Sequence, residues 1–158
     1  DFEALVLDFR NNGGGREADR MLAMFCHPEH SFTIPRGGPR GYPVDRLPGP
    51  VWNKPLVVLC NENTFSNSEI FCHAIKHTQR APLVGIATAG GVISAVKTTI
   101  PDMGELQVPF RGWFSTATGA DFDARGAQPD HRVDLTPADE EAGRDPQLQK
   151  ALELLEAR

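Results

Sequence analysis

PLVVLCNENTFSNSEI, residues 55–70, decides the fold. Pro55 to Cys60 is a nearly continuous apolar run, the pattern of a strand buried on both faces. From Ser66 the spacing changes, and Ile70, Phe71, Ala74 and Ile75 fall on one stripe of a helix over 66–79. The same strand-then-helix unit stands upstream. Ala4 to Phe9 reads as a strand, Arg10 to Gly15 as a tight turn, and 16–26 as a helix with Ala18, Met21, Leu22 and Phe25 at helical spacing, stopped near Pro28. Downstream, Leu83 to Ile86 is a third short strand. Strand, helix, strand, helix, strand predicts right-handed crossovers and an α/β fold with a parallel sheet core.

Between the first two units, His30 to Lys54 is rich in Pro and Gly and reads as a long inserted loop of the functional or mobile kind. After Gly90-Gly91 the pattern changes again. Val92–Ile100 and Glu105–Phe110 read as strands joined at Pro101-Asp102-Met103-Gly104, and Gly112–Thr118 as a further strand. The chain ends in a helix over 145–157, with Asp145 as N-cap, Pro146 at its first position and Leu148, Leu152 and Leu155 on one stripe. Residues 1–158 read as one domain.

The composition is that of an ordinary globular chain, 40% hydrophobic and 23% charged. A net charge of −5 excludes a basic nucleic-acid surface. No apolar run approaches the roughly 20 residues of a membrane span. The chain opens on Asp1-Phe2-Glu3 without a methionine or a cationic leader, and leads straight into a buried strand. The expectation is that the natural N-terminus lies elsewhere. Cys26, Cys60 and Cys72 form no CxxC pair, so they read as small buried hydrophobes and not as a disulfide framework or zinc site.

Two features carry chemistry. Gly13-Gly14-Gly15 follows the first strand, where successive backbone N–H groups before a helix can hold an anion or oxyanion. A plain tight turn is the competing reading. Ser66 lies at the carboxyl end of a parallel strand, where open α/β sheets place ligands, and at a helix N-terminus that favours a developing negative charge. Against this, Ser66-Asn67-Ser68-Glu69 is also a capping box, with Ser66 as N-cap and Glu69 three residues on.

LVLDFRNNGGG (5–15), PLVVLCNENTFSNSEI (55–70) and APLVGIATAGG (81–91) resemble, in order and spacing, the tail-specific and tricorn serine peptidase family. GAQPDHRVDLTPADEEAGRDPQLQKALELL (126–155) is similar to the tricorn C-terminal tail. The resemblance implies a ClpP- or crotonase-like spiral of ββα units, with additional C-terminal strands and a terminal helix. It also implies a serine peptidase acting on a peptide or protein, with Ser66 as nucleophile and the N–H groups of Gly15 and Asn67 as oxyanion hole. Asp123 matches a late acidic residue that supports catalysis, although the family usually carries glutamate there. In tail-specific members a lysine after the third strand is the base, and Gly91 stands in its place here. Tricorn members instead use a histidine from well upstream, so residues 1–158 alone are expected to be nearly inactive. Their preference for a basic residue is read by an acid whose match here is Thr33. The resemblance calls for no cofactor and no metal, and is compatible with a homo-oligomer. It implies a cytoplasmic protein on the tricorn model, or a periplasmic or secreted one if a signal peptide precedes. A peptide-binding homologue without catalysis and a crotonase-type acyl-CoA enzyme are the alternatives.

The remaining candidates are weaker. Lys97 falls in a strand beyond the turn and is a poor substitute base. His73 and His77, at i and i+4 on the Ser66 helix, have metal-binding spacing but no third ligand, and read as a packed or solvated face. His27, His30 and His131 fall in loops. Asp139-Glu140-Glu141 reads as a solvated charge run. Trp113 and Phe114 read either as lining of a substrate groove or as core.

Overall fold

The computed structural model describes residues 2–28, 31, 33–41, 47 and 49–157. At its centre is the strand that the sequence marks most clearly. We number it β2 (Leu56–Cys60), after β1 (Leu5–Asp8), and every one of its residues is fully buried. β1 pairs with one edge of β2, and β3 (Leu83–Gly85) with the other. β6 (His131–Arg132) adds to the far edge of β3, giving a parallel sheet in the order β1-β2-β3-β6.

Alternation along β2 builds two cores. Leu56, Val58 and Cys60 pack with Phe9, Phe25, Phe71 and Ile75. This is the side of α1 (Ala18–Phe25) and α2 (Asn67–His77). Val57 and Leu59 pack with Val84 and with Ala151 of α4 (Pro146–Glu156) on the opposite side. Phe71 anchors the larger core, stacked on Phe9 at 4.7 Å between ring centroids and edge-on to Phe25 at 6.2 Å.

The predicted terminal helix begins as expected, with Asp145 accepting the Leu148 N–H at 2.9 Å and Pro146 at the first position. Arg10 ties its start to the end of β1, its guanidinium 2.7 Å from Asp8 and 2.8 Å from Asp145. The hydrogen bond from Arg10 holds the Asp145 carboxyl below the usual carboxylate range despite opposing burial.

β4 (Ile93–Ile100) and β5 (Gly104–Gly112) form a separate antiparallel hairpin, turning through Pro101-Asp102-Met103. A register shift between Ser94 and Ala95 bends it near its base. Its side chains are exposed along nearly its whole length.

The structure corrects two expectations, at Gly112–Thr118 and His131, and adds a short helix at the mostly exposed acidic run. Gly112–Thr118 is not a strand beyond the end of β5. Phe114 makes one isolated bridge to Asp121, and the segment then closes into a turn in which the Ser115 hydroxyl accepts from the Ala117 and Thr118 N–H groups. Local Ser and Thr hydrogen bonding and Gly119 at φ 69° defeat the strand propensity. Asp139-Glu140-Glu141 lies in a short helix, α3 (Pro137–Glu141), capped by Thr136 and Asp139. His131 lies in β6, paired with Val84, not in a loop. His30 lies outside the described residues.

Candidate active site

Ser66 adopts φ 57° and ψ −121°. A non-glycine residue in this region carries strain of about 1–3 kcal/mol, which persists only where the surroundings enforce it. An ordinary N-cap lies in the extended region, so capping alone does not require this conformation. Ser66 and Glu69 do take up the reciprocal arrangement of a capping box, but only one arm is a hydrogen bond. The Ser66 N–H donates to Glu69 Oε1 at 3.0 Å. The Glu69 N–H goes to the Ser66 carbonyl, and the Ser66 side chain makes no cap hydrogen bond.

The enforcement comes from Glu69 and Thr64, both fully buried. Besides the Ser66 N–H, the Glu69 carboxylate accepts from Thr88 Oγ1 at 2.6 Å and from the N–H groups of Gly90 at 2.6 Å and Gly91 at 2.9 Å. One buried side chain therefore joins the serine turn to the glycine turn after β3. Thr64 adds a second strap, donating through Oγ1 to the Phe9 carbonyl at 2.9 Å and accepting the Ala89 N–H on its own carbonyl at 3.0 Å. The sequence offered Glu69 only as a capping-box arm. No spacing signal marked the larger role, since Glu69 lies off the stripe of Ile70, Phe71, Ala74 and Ile75 and its glycine partners stand 21 and 22 residues further on.

The glycine turn is braced by asparagines, as the residue type suggests. Asn12 Oδ1 accepts the Gly14 N–H at 3.0 Å and the Ser68 hydroxyl at 2.7 Å, while its carbonyl accepts the Phe65 N–H at 3.0 Å. Asn11 Oδ1 accepts from the side-chain amides of Asn61 and Asn63, both at 3.0 Å. Gly14 has no room for a side chain, because a Cβ there would stand 2.8 Å from Ser66 Cβ and 3.0 Å from the Asn67 nitrogen. Gly15 faces open space. Asn67 directs its side chain backwards, its Oδ1 accepting the Ala18 N–H at the start of α1 at 2.9 Å. Among the described residues, the Gly15 and Asn67 N–H groups reach no protein acceptor.

Gly15, Ser66 and Asn67 line one cavity of about 1130 Å³, whose far wall is the β4–β5 hairpin and Trp113. Trp113 belongs to this groove, its Nε1 donating to Ser94 Oγ at 2.9 Å, whereas Phe114 lies outside the lining. Asp123 is also outside it. Its Oδ1 accepts the N–H of Val92, a wall residue, at 3.1 Å.

Lys97 lines the cavity on the hairpin, with its ammonium 2.8 Å from Glu105. At Gly91, a Cβ would collide with the Phe65 ring, so a lysine there requires that ring to move. His73 stacks on Phe122 at 3.9 Å, with Nε2 buried and without a partner among the described residues. Burial pushes its pKa down, against the pull of Glu69. His77 is exposed, 3.4 Å from Thr116 Oγ1. His27, His131 and Thr33 lie outside the cavity lining, Thr33 pairing instead with Gly41.

The sequence pattern that defines peptidase family S41 matches residues 1–133. Tricorn protease homolog 1 of Streptomyces coelicolor is 34% identical over 96% of this chain, which spans 14% of that relative's length. A carboxyl-terminal-processing protease of Synechocystis is 31% identical over 97% of the chain and 37% of its own. The crystal structure of the tricorn protease superposes with a TM-score of 0.76 at 26% identity, covering 98% of this chain and 15% of that one.

Proposed function

The chain belongs to peptidase family S41, and on that premise we propose that it is the nucleophile-bearing core of a serine peptidase that works through an acyl-enzyme on Ser66. The conformation of Ser66 carries the reading. Strain imposed at one residue by a fully satisfied buried carboxylate is expected of a side chain held for chemistry, and a cap needs none of it.

The residues then divide the work as follows. The Ser66 hydroxyl attacks the scissile carbonyl while a base from a segment outside residues 1–158 accepts its proton. The carbonyl oxygen becomes an oxyanion and takes hydrogen bonds from the Gly15 and Asn67 N–H groups, aided by the positive end of α2. Their lack of protein partners supports this role, and losing one such donor costs about 3–4 kcal/mol of transition-state stabilisation. The proton returns to the departing amine, and water repeats the sequence on the ester to release the acid and restore Ser66. Asp123 acts through Val92, fixing the wall beside Gly91. Residues 1–158 form one peptidase core domain. In the whole protein the parallel sheet and hairpin take their place in a ClpP-like spiral of ββα units.

Two measurements on the full-length protein test this. Ser66→Ala abolishes peptide hydrolysis, and a serine-directed phosphonate labels the wild type at Ser66 but leaves the variant unlabelled. Undiminished cleavage by Ser66→Ala removes the mechanism. Peptide binding by a wild type that neither cleaves nor labels favours a non-catalytic binding protein.

A further inference from the structure

Building on the acyl-enzyme reading, we propose that this cleft selects peptides bearing a carboxylate near the scissile bond, received by Arg16 and Arg111 from opposite walls. Arg16 directly follows Gly15, and Arg111 stands near the end of β5, and both line the cavity that holds Ser66. Among the described residues, neither guanidinium has a carboxylate partner. Arg111 instead rests its guanidinium carbon 5.2 Å from the centre of the Phe110 ring, a contact that orients the fork with its N–H edges still able to donate.

Charge bookkeeping points the same way. The lining carries Arg16, Lys97 and Arg111 against a single carboxylate, Asp19, while the chain as a whole carries −5. Lys97 is offset by Glu105, which leaves Arg16 and Arg111 against Asp19 and the lining positive on balance. A concave site of one sign focuses its field on an incoming ligand, and guanidinium groups bind carboxylates in a bidentate fork. A basic residue in the same position meets repulsion. The preference inferred for this cleft is therefore for acidic over basic residues. The carboxylate can be an Asp or Glu side chain or the C-terminus of a short peptide.

The test uses the full-length protein and matched peptides with Glu, Gln or Lys at each position flanking the cleavage point, each made as free acid and as amide. kcat/KM is measured on the wild type, and binding on Ser66→Ala. Glu over Lys by roughly tenfold is the expected result, shrinking as ionic strength rises from about 0.05 to 0.5 M. Arg111→Glu inverts the preference and Arg111→Gln flattens it, so a misfolded charge reversal does not end the experiment. Loss on amidation alone identifies a terminal carboxylate, and loss on Glu-to-Gln exchange alone identifies a side chain. Cleavage indifferent to charge, or a Glu preference that survives both Arg111 variants, overturns the inference. Charge-selective binding by a protein that cleaves nothing sinks the acyl-enzyme reading and leaves this one standing.

Discussion

On one wall of the cleft, Ser66 rises from β2 with its turn strapped by Glu69 and Thr64, both buried without residual exposure. On the other wall, β4 and β5 hold each other by a backbone ladder while Val96, Leu106, Val108 and Phe110 remain exposed. The first wall resists small displacements because each requires breaking hydrogen bonds in a dry interior. The second resembles an isolated two-stranded ribbon, an arrangement of marginal stability by itself. Accuracy at the proposed nucleophile and adaptability toward the substrate are thus assigned to different parts of the same groove.

The contrast is most exposed to test at Glu69. Glu69→Ala leaves the Thr88, Gly90 and Gly91 donors and the Ser66 N–H without their acceptor, and unfolding by denaturant should show a loss of about 3 kcal/mol or more. Glu69→Gln should restore part of it. A loss below about 1 kcal/mol would mean that the serine wall is as loosely held as the hairpin. Val96→Ala and Val108→Ala, by comparison, remove half-exposed groups and should each cost about 1 kcal/mol or less. Amide exchange sharpens the same point: β2 should exchange only through global unfolding and the hairpin through smaller openings.

Ser66 itself gives a smaller effect of opposite sign. Since its side chain makes no cap hydrogen bond, Ser66→Ala should change stability by less than about 0.5 kcal/mol, where a true N-cap would lose about 1. Ser66→Gly relieves the positive φ and should gain up to about 1 kcal/mol after the entropy of glycine is counted. The smallest effect is in pH. Burial lowers the His73 pKa from its ordinary 6.5, so the unfolded chain binds the proton first. Its neutral form contributes stability above 6.5 that is lost as pH falls below it, and His73→Phe should flatten that part of the stability curve.

Much of this was legible because the informative residues are local. Val57-Val58-Leu59 announces a doubly covered strand, Asp145-Pro146 a helix start, and Pro101-Asp102-Met103-Gly104 a hairpin turn. β6 was not legible, since two residues become a strand only by finding the open edge of β3. α3 could have been read from Thr136-Pro137-Ala138-Asp139, a capping signature obscured by the acidic run after it. The backbone conformation of Ser66 was beyond reach, because the same letters serve an extended cap or a strained turn. What separates the two is Glu69 meeting Gly90 and Gly91, a contact made only once β2 and β3 are paired.

The asparagine braces have a consequence for how the chain reaches its working form. They join Asn11 to Asn61 and Asn63, Asn12 to Ser68, and Asn67 to Ala18, spanning 49–56 residues along the chain. None can form until the chain has closed over the Pro- and Gly-rich stretch between α1 and β2, the same closure that pairs β1 with β2, so the cleft should assemble together with its supporting strands. Lengthening that stretch should barely alter equilibrium stability, since each doubling of a flexible loop costs only about 0.6 kcal/mol, yet it should delay the appearance of a competent cleft. A half-folded chain therefore exposes Ser66 without the turns that surround it, and on the proposed reading the serine becomes competent only when folding is finished.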